Sequence, residues 1–140
     1  MNTPASNTGH LSATGAFDVK LGAAETLPAP DHAPAMASRS IDKDFHGDLQ
    51  GRSLGRMLSA GQPQSGEAAY TALESFAGTL HGRSGGFALA HLGQMHAGTH
   101  ELRVAIVPGS GTGELAGILG DMQIRIEGGK HYYTLTYRLD

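Results

Sequence analysis

Apolar and polar residues alternate with a period of two along most of this chain, the repeat of strands that bury one face. Over residues 13–21, Gly15, Phe17, Val19 and Leu21 fall on one face, with Ala16, Asp18 and Lys20 on the other. The alternation resumes at Met36 and runs through Arg39, Ile41, Lys43 and Phe45 until Gly47-Asp48 offers a turn. A glycine-interrupted strand over 49–59 follows. Residues 68–80 then predict a long strand on which Tyr70, Glu74, Phe76 and Leu80 share one parity, and 86–92 return with Phe87, Leu89 and His91 in phase. Leu102, Val104 and Ile106 mark the next strand, and Met122, Ile124 and Ile126 the one after it. The last covers 131–139, with Tyr133, Leu135, Tyr137 and Leu139 aligned.

These patterns predict eight strands and no helix beyond a single turn over 114–119. An all-β chain of eight antiparallel strands is expected to close into an up-and-down barrel, because closure removes the edges that an open meander exposes. A β-sandwich is the alternative. Gly82-Arg83 and Gly128-Gly129 read as two-residue hairpin turns. Pairing across the first sets Phe76 opposite Leu89, Gly78 opposite Phe87 and Glu74 opposite His91. Residues 107–120, with five glycines in fourteen positions, predict a compact corner between two strands. Residues 22–35 carry Pro28, Pro30 and Pro34 and predict an extended surface loop, either a lid or a plain connection.

A length of 140 residues fits one core, so residues 1–12 are expected to form a disordered N-terminal segment and 13–140 a single barrel domain. The net charge of -3 with no run of like sign argues against a nucleic-acid partner or a basic membrane-binding face. With no cysteine there is no disulfide, thiolate nucleophile or cysteine-ligated zinc. The opening residues have neither a basic nor an apolar leader region, and no apolar run would span a bilayer, so a cytoplasmic setting is expected.

Eight histidines invite a metal reading, but His96 and His100 fall in the tip after a strand and only His91 points inward, so neither a metal nor any other cofactor is expected. The GSGTG run lacks the lysine and following helix of a phosphate loop. Ser110 stands outside any nucleophile-elbow context, and Arg52 and Ser53 lie on a glycine-rich strand with no partner in evidence. Arg39, if inward, would receive a ligand carboxylate; beside Asp42 and Asp44 it also reads as part of a solvated face.

The order of GDLQGRS at 47–53, AAYTALESFAGTLHGRSGGFALAH at 68–91, VPGSGTGELAGILG at 107–120 and the closing HYYTLTYRL resembles a bacterial domain-of-unknown-function family, number 3224. The resemblance covers roughly residues 45–139. It implies a barrel similar to that of allene oxide cyclase, the plant enzyme that closes an unsaturated fatty-acid epoxide inside eight strands. The matching positions are Gly109, Ser110, Gly111, Gly117, Gly120, Tyr133 and Thr134, all readable as structural. No reacting residue of the cyclase is placed on this sequence.

The candidate chemistry is Glu74 with His91, a carboxylate and an imidazole on one apolar face. Burial favours their neutral forms and pairing their charged forms, which suits general acid or base work near neutral pH. The stronger reading of the same pair is a structural network, completed by a tyrosine and a backbone amide. Tyr70, Phe76, Phe87, Tyr133 and Tyr137 are the candidate ligand-lining residues, although tyrosines in barrels also pack with one hydrogen bond. Three functions follow as expectations: a barrel holding a small apolar or amphipathic molecule in its lumen, a cyclase- or isomerase-type enzyme, or a structural module with a filled interior. A homo-oligomer is left open.

Overall fold

A computed structural model describes residues 9–139 and shows a closed antiparallel barrel of eight long strands. The staves are β1 (Leu11–Leu21), β3 (Met36–Gly47), β4 (Leu49–Gln62), β5 (Glu67–Leu80), β6 (Arg83–His96), β7 (Thr99–Ile106), β9 (Leu119–Glu127) and β10 (Lys130–Arg138). Two short strands, β2 (Glu25–Thr26) and β8 (Thr112–Gly113), add to β3 and β6. The order β1-β10-β9-β7-β6-β5-β4-β3 closes where β1 pairs with β3, from Gly15 opposite Gly47 to Leu21 opposite Ile41. The first strand therefore begins at Leu11, two residues before the predicted start. Most of the segment expected to be disordered, residues 1–8, lies outside the described residues. No helix among the described residues is long and apolar enough to cross a membrane.

The inward faces are those the alternation predicts, but the two ends of the cylinder differ. At one end the glycine corner folds back across the opening. Leu115 and Ile118 enter the barrel with no exposed surface and join Leu49, Leu80, Ile106 and Tyr137. Four-residue turns hold this plug, with the Leu115 amide donating to Thr112 O and the Ile118 amide to Leu115 O. The predicted single turn is thus present as turns and not as a helix. Above the plug, Phe17, Phe45, Phe76, Phe87 and Tyr133 form a continuous aromatic layer, with Phe76 5.7 Å from Phe45 and 5.1 Å from Phe87. The Tyr133 hydroxyl accepts from the Leu49 amide at 2.9 Å and donates to His46 O at 2.8 Å, fastening β10 to the turn between β3 and β4.

The hairpin between β5 and β6 corrects the expected register. Its turn is His81-Gly82, with φ of 48° and 81°, so Leu80 faces Arg83, Phe76 faces Phe87 and Glu74 faces Leu89. Gly82-Arg83 fails as a turn because tertiary contacts hold His81 in the left-handed conformation. Its amide donates to Asp48 O, and its Nδ1 shares a 2.5 Å hydrogen bond with the Tyr137 hydroxyl. The shift is two residues, which preserves the face of every side chain.

Because Leu115 seals the cylinder, Leu115→Ala should leave a void that its neighbours fill poorly. A loss of about 3 kcal/mol in urea unfolding is expected, with the far-ultraviolet dichroism of the native state unchanged.

Candidate functional site

Four adjacent staves place one polar side chain each at the same height in the lumen. Lys43 comes from β3, Ser53 from β4, Glu74 from β5 and His91 from β6, and all four are buried. Lys43 Nζ donates to Glu74 Oε2 at 2.8 Å, Ser53 Oγ donates to Oε1 at 2.6 Å, and His91 Nε2 lies 2.6 Å from Oε2. The predicted pair is therefore in contact, although diagonally and not face to face. Directly across from Glu74 on β4 stands Gly55, where a Cβ would lie 2.6 Å from Glu74 Cα; only glycine lets the strands approach here.

The electrostatics follow from these contacts. Burial alone pushes the Glu74 carboxyl up, but the His91 hydrogen bond, the Lys43 cation and its hydrogen bond, and the Ser53 hydroxyl together outweigh it and hold the group down at about 2. Glu74 is thus an anion across the physiological range. An ionised carboxylate only accepts, so His91 carries a proton on Nε2. Lys43 also lies over the Phe17 ring, 4.7 Å from its centroid. A Ser-His-acid relay is not formed, because the Ser53 hydroxyl points at the carboxylate and not at the imidazole.

The alternation along the chain marks neither Lys43 nor Ser53 as a partner of Glu74. Lys43 shares the parity of Ile41 and Phe45, a signal that it faces inward; nothing in the order of residues says that it meets Glu74 31 positions on. The tyrosine expected in this network is absent from it among the described residues.

The remaining candidates are spread along the barrel. Phe76, Phe87 and Tyr133 belong to the aromatic layer, and Tyr137 binds His81 at the plugged end. Tyr70 sits at the opposite, open end, half-buried, with its ring over Gly93 where any Cβ would run into it. Burial pushes its hydroxyl up, so it is a neutral phenol at pH 7. Around it lies a pocket of about 550 Å³, walled by Leu21, Met36, Arg39, Met57, Tyr70 and Met95 among others, and bordered by Ala24, Thr26 and Ala35 of the proline-rich loop. That loop is held down where β2 pairs with β3 and where Arg56 meets Glu25 at 3.1 Å. A larger concavity of about 770 Å³ lies on the outer wall between the exposed side chains of Asp44, His46, Gln50 and Arg52, but it is open to solvent. His96, at the tip with exposed His100, bonds Glu67 on the surface.

The family of proteins of unknown function DUF3224 matches residues 13–137. The chain belongs to the DUF3224 family. It is similar to a protein with unknown function from this family in Shewanella oneidensis MR-1, whose crystal structure superposes with a TM-score of 0.86 at 41% identity, covering 94% of this chain and 98% of that one. No curated protein matches the chain. Family membership thus agrees with the barrel.

Two outcomes follow from the buried network. The depressed Glu74 carboxyl contributes stability that is fully present above about pH 4.5 and is lost as pH falls toward 2. Over that window the wild type should lose roughly 3 kcal/mol more than Glu74→Gln, read by denaturant unfolding at stepped pH. Lys43→Met strands the carboxylate and should cost about 3–5 kcal/mol at pH 7, whereas adding Glu74→Gln to it should restore part of that loss in thermal melts.

Proposed function

We propose that this DUF3224 protein binds a small apolar or amphipathic molecule in the open mouth of its barrel. The observation that carries this reading is the inequality of the two ends: one is stoppered by Leu115 and Ile118, the other keeps a pocket of about 550 Å³. That volume lies in the range of small-molecule sites, and a barrel of eight staves has room for one such ligand. Three of the chain's five methionines, Met36, Met57 and Met95, stand in its wall. Unbranched thioether side chains adapt to the shape of an apolar guest. The proline-rich loop forms part of the rim, which supports the lid reading over a plain connection.

In this reading Glu74 and His91 lie beneath the ligand and secure the floor, while Tyr70 is the tyrosine that touches it. Phe76, Phe87, Tyr133 and Tyr137 pack the lower half. Cyclase or isomerase chemistry finds less support, because the pocket's lining contains neither a carboxylate nor an imidazole. The cytoplasm remains the compartment expected on sequence grounds alone.

A titration with the neutral fluorophore N-phenyl-1-naphthylamine tests the reading. Saturable, single-site binding is expected, weakened at least tenfold by Met57→Trp and by Met95→Trp, each of which fills the mouth. Binding that does not saturate, or that ignores both substitutions, would sink it.

A further inference from the structure

We propose that the mouth pocket selects an apolar anion, a monocarboxylate in the first instance, and that Arg39 is the residue that takes its charge. This rests on the binding reading above and adds the ligand's class to it. Of the seven arginines in the chain, Arg39 alone is half-buried; the other six are exposed. Arg52, Arg56 and Arg125 each meet a carboxylate, Asp42, Glu25 and Glu127, whereas Arg39 forms no ion pair among the described residues. Of the two acids on the loop that borders the pocket, Glu25 already faces Arg56 and Asp31 forms no ion pair with Arg39.

Position explains why this matters. Arg39 lies on the inward face of β3, opposite Met57 across the ladder and two inward places from Lys43. The Lys43 cation is engaged by Glu74, so the charges of the buried layer are matched within it. Arg39 is left as a guanidinium partly withdrawn from water, in a pocket whose lining holds no other charged side chain. A partly desolvated cation without a counter-charge is costly, and an anionic guest relieves that cost while its apolar body covers the methionines. The planar fork of the guanidinium matches a carboxylate with two parallel hydrogen bonds, which an ammonium in its place would not reproduce.

Calorimetric titration with matched pairs tests this: decanoate against decan-1-ol for a linear body, and 2-naphthoate against 2-naphthylmethanol for a flat one. In at least one pair the anion should bind about tenfold tighter than the alcohol or better. Which pair does so distinguishes a chain-like ligand from a ring-like one. Arg39→Gln should bring the anion down to the level of its alcohol while the alcohol's own affinity stays put, and Arg39→Lys should recover only part of the difference. Equal binding of acid and alcohol, or a preference that survives Arg39→Gln, overturns the charge assignment and leaves the pocket standing. If no member of either pair binds, the pocket reading falls together with it.

Discussion

One buried negative charge governs this barrel. A carboxylate removed from water is tolerated only when its charge is matched and its oxygens are occupied, and Glu74 meets both conditions by drawing on three neighbouring strands. Lysine, serine and histidine arrive from β3, β4 and β6, so any slip of one strand against the next would break a contact to an ion that has no access to solvent. The network therefore acts on register as well as on energy. Ladder hydrogen bonds alone are nearly indifferent to a shift of two residues, since such a shift keeps every face in place.

The layer also divides the lumen into unlike halves. Below it, aromatic rings and the Leu115–Ile118 plug leave a packed core. Above it, small and flexible side chains, Ala68, Met57 and Met95 among them, leave space. Glycine supports the division at two levels: Gly55 lets β4 close on Glu74, and Gly93 makes room for the Tyr70 ring at the base of the mouth. A filled barrel and a ligand-holding barrel, which looked like rival expectations, are in this molecule the lower and upper parts of one cylinder, the second of them by proposal.

The hairpin ends show how local chemistry and tertiary contact share control. Gly128-Gly129 is a turn at which both residues have positive φ, and glycine supplies that conformation at little steric cost. His81 adopts the same conformation against its own preference, because the Asp48 carbonyl and the Tyr137 hydroxyl hold it there. A turn one residue later would set Glu74 opposite His91 and not Leu89, yet the two polar groups still meet because both side chains reach across the diagonal.

Period-two alternation by itself determined the all-β class, the eight staves and the inward faces, because which face a residue occupies depends only on its parity along an extended chain. It brought Glu74 and His91 to one side of the wall, and it marked Lys43 as inward through its neighbours Ile41 and Phe45. Only the tertiary structure decided that Lys43 and Ser53 complete the carboxylate, that the glycine corner is a stopper, and that Arg39 lines a pocket with no ion-pair partner among the described residues. Those facts depend on distances between strands remote in sequence and on which end of the cylinder each loop covers. Parity along a single strand carries no information about either.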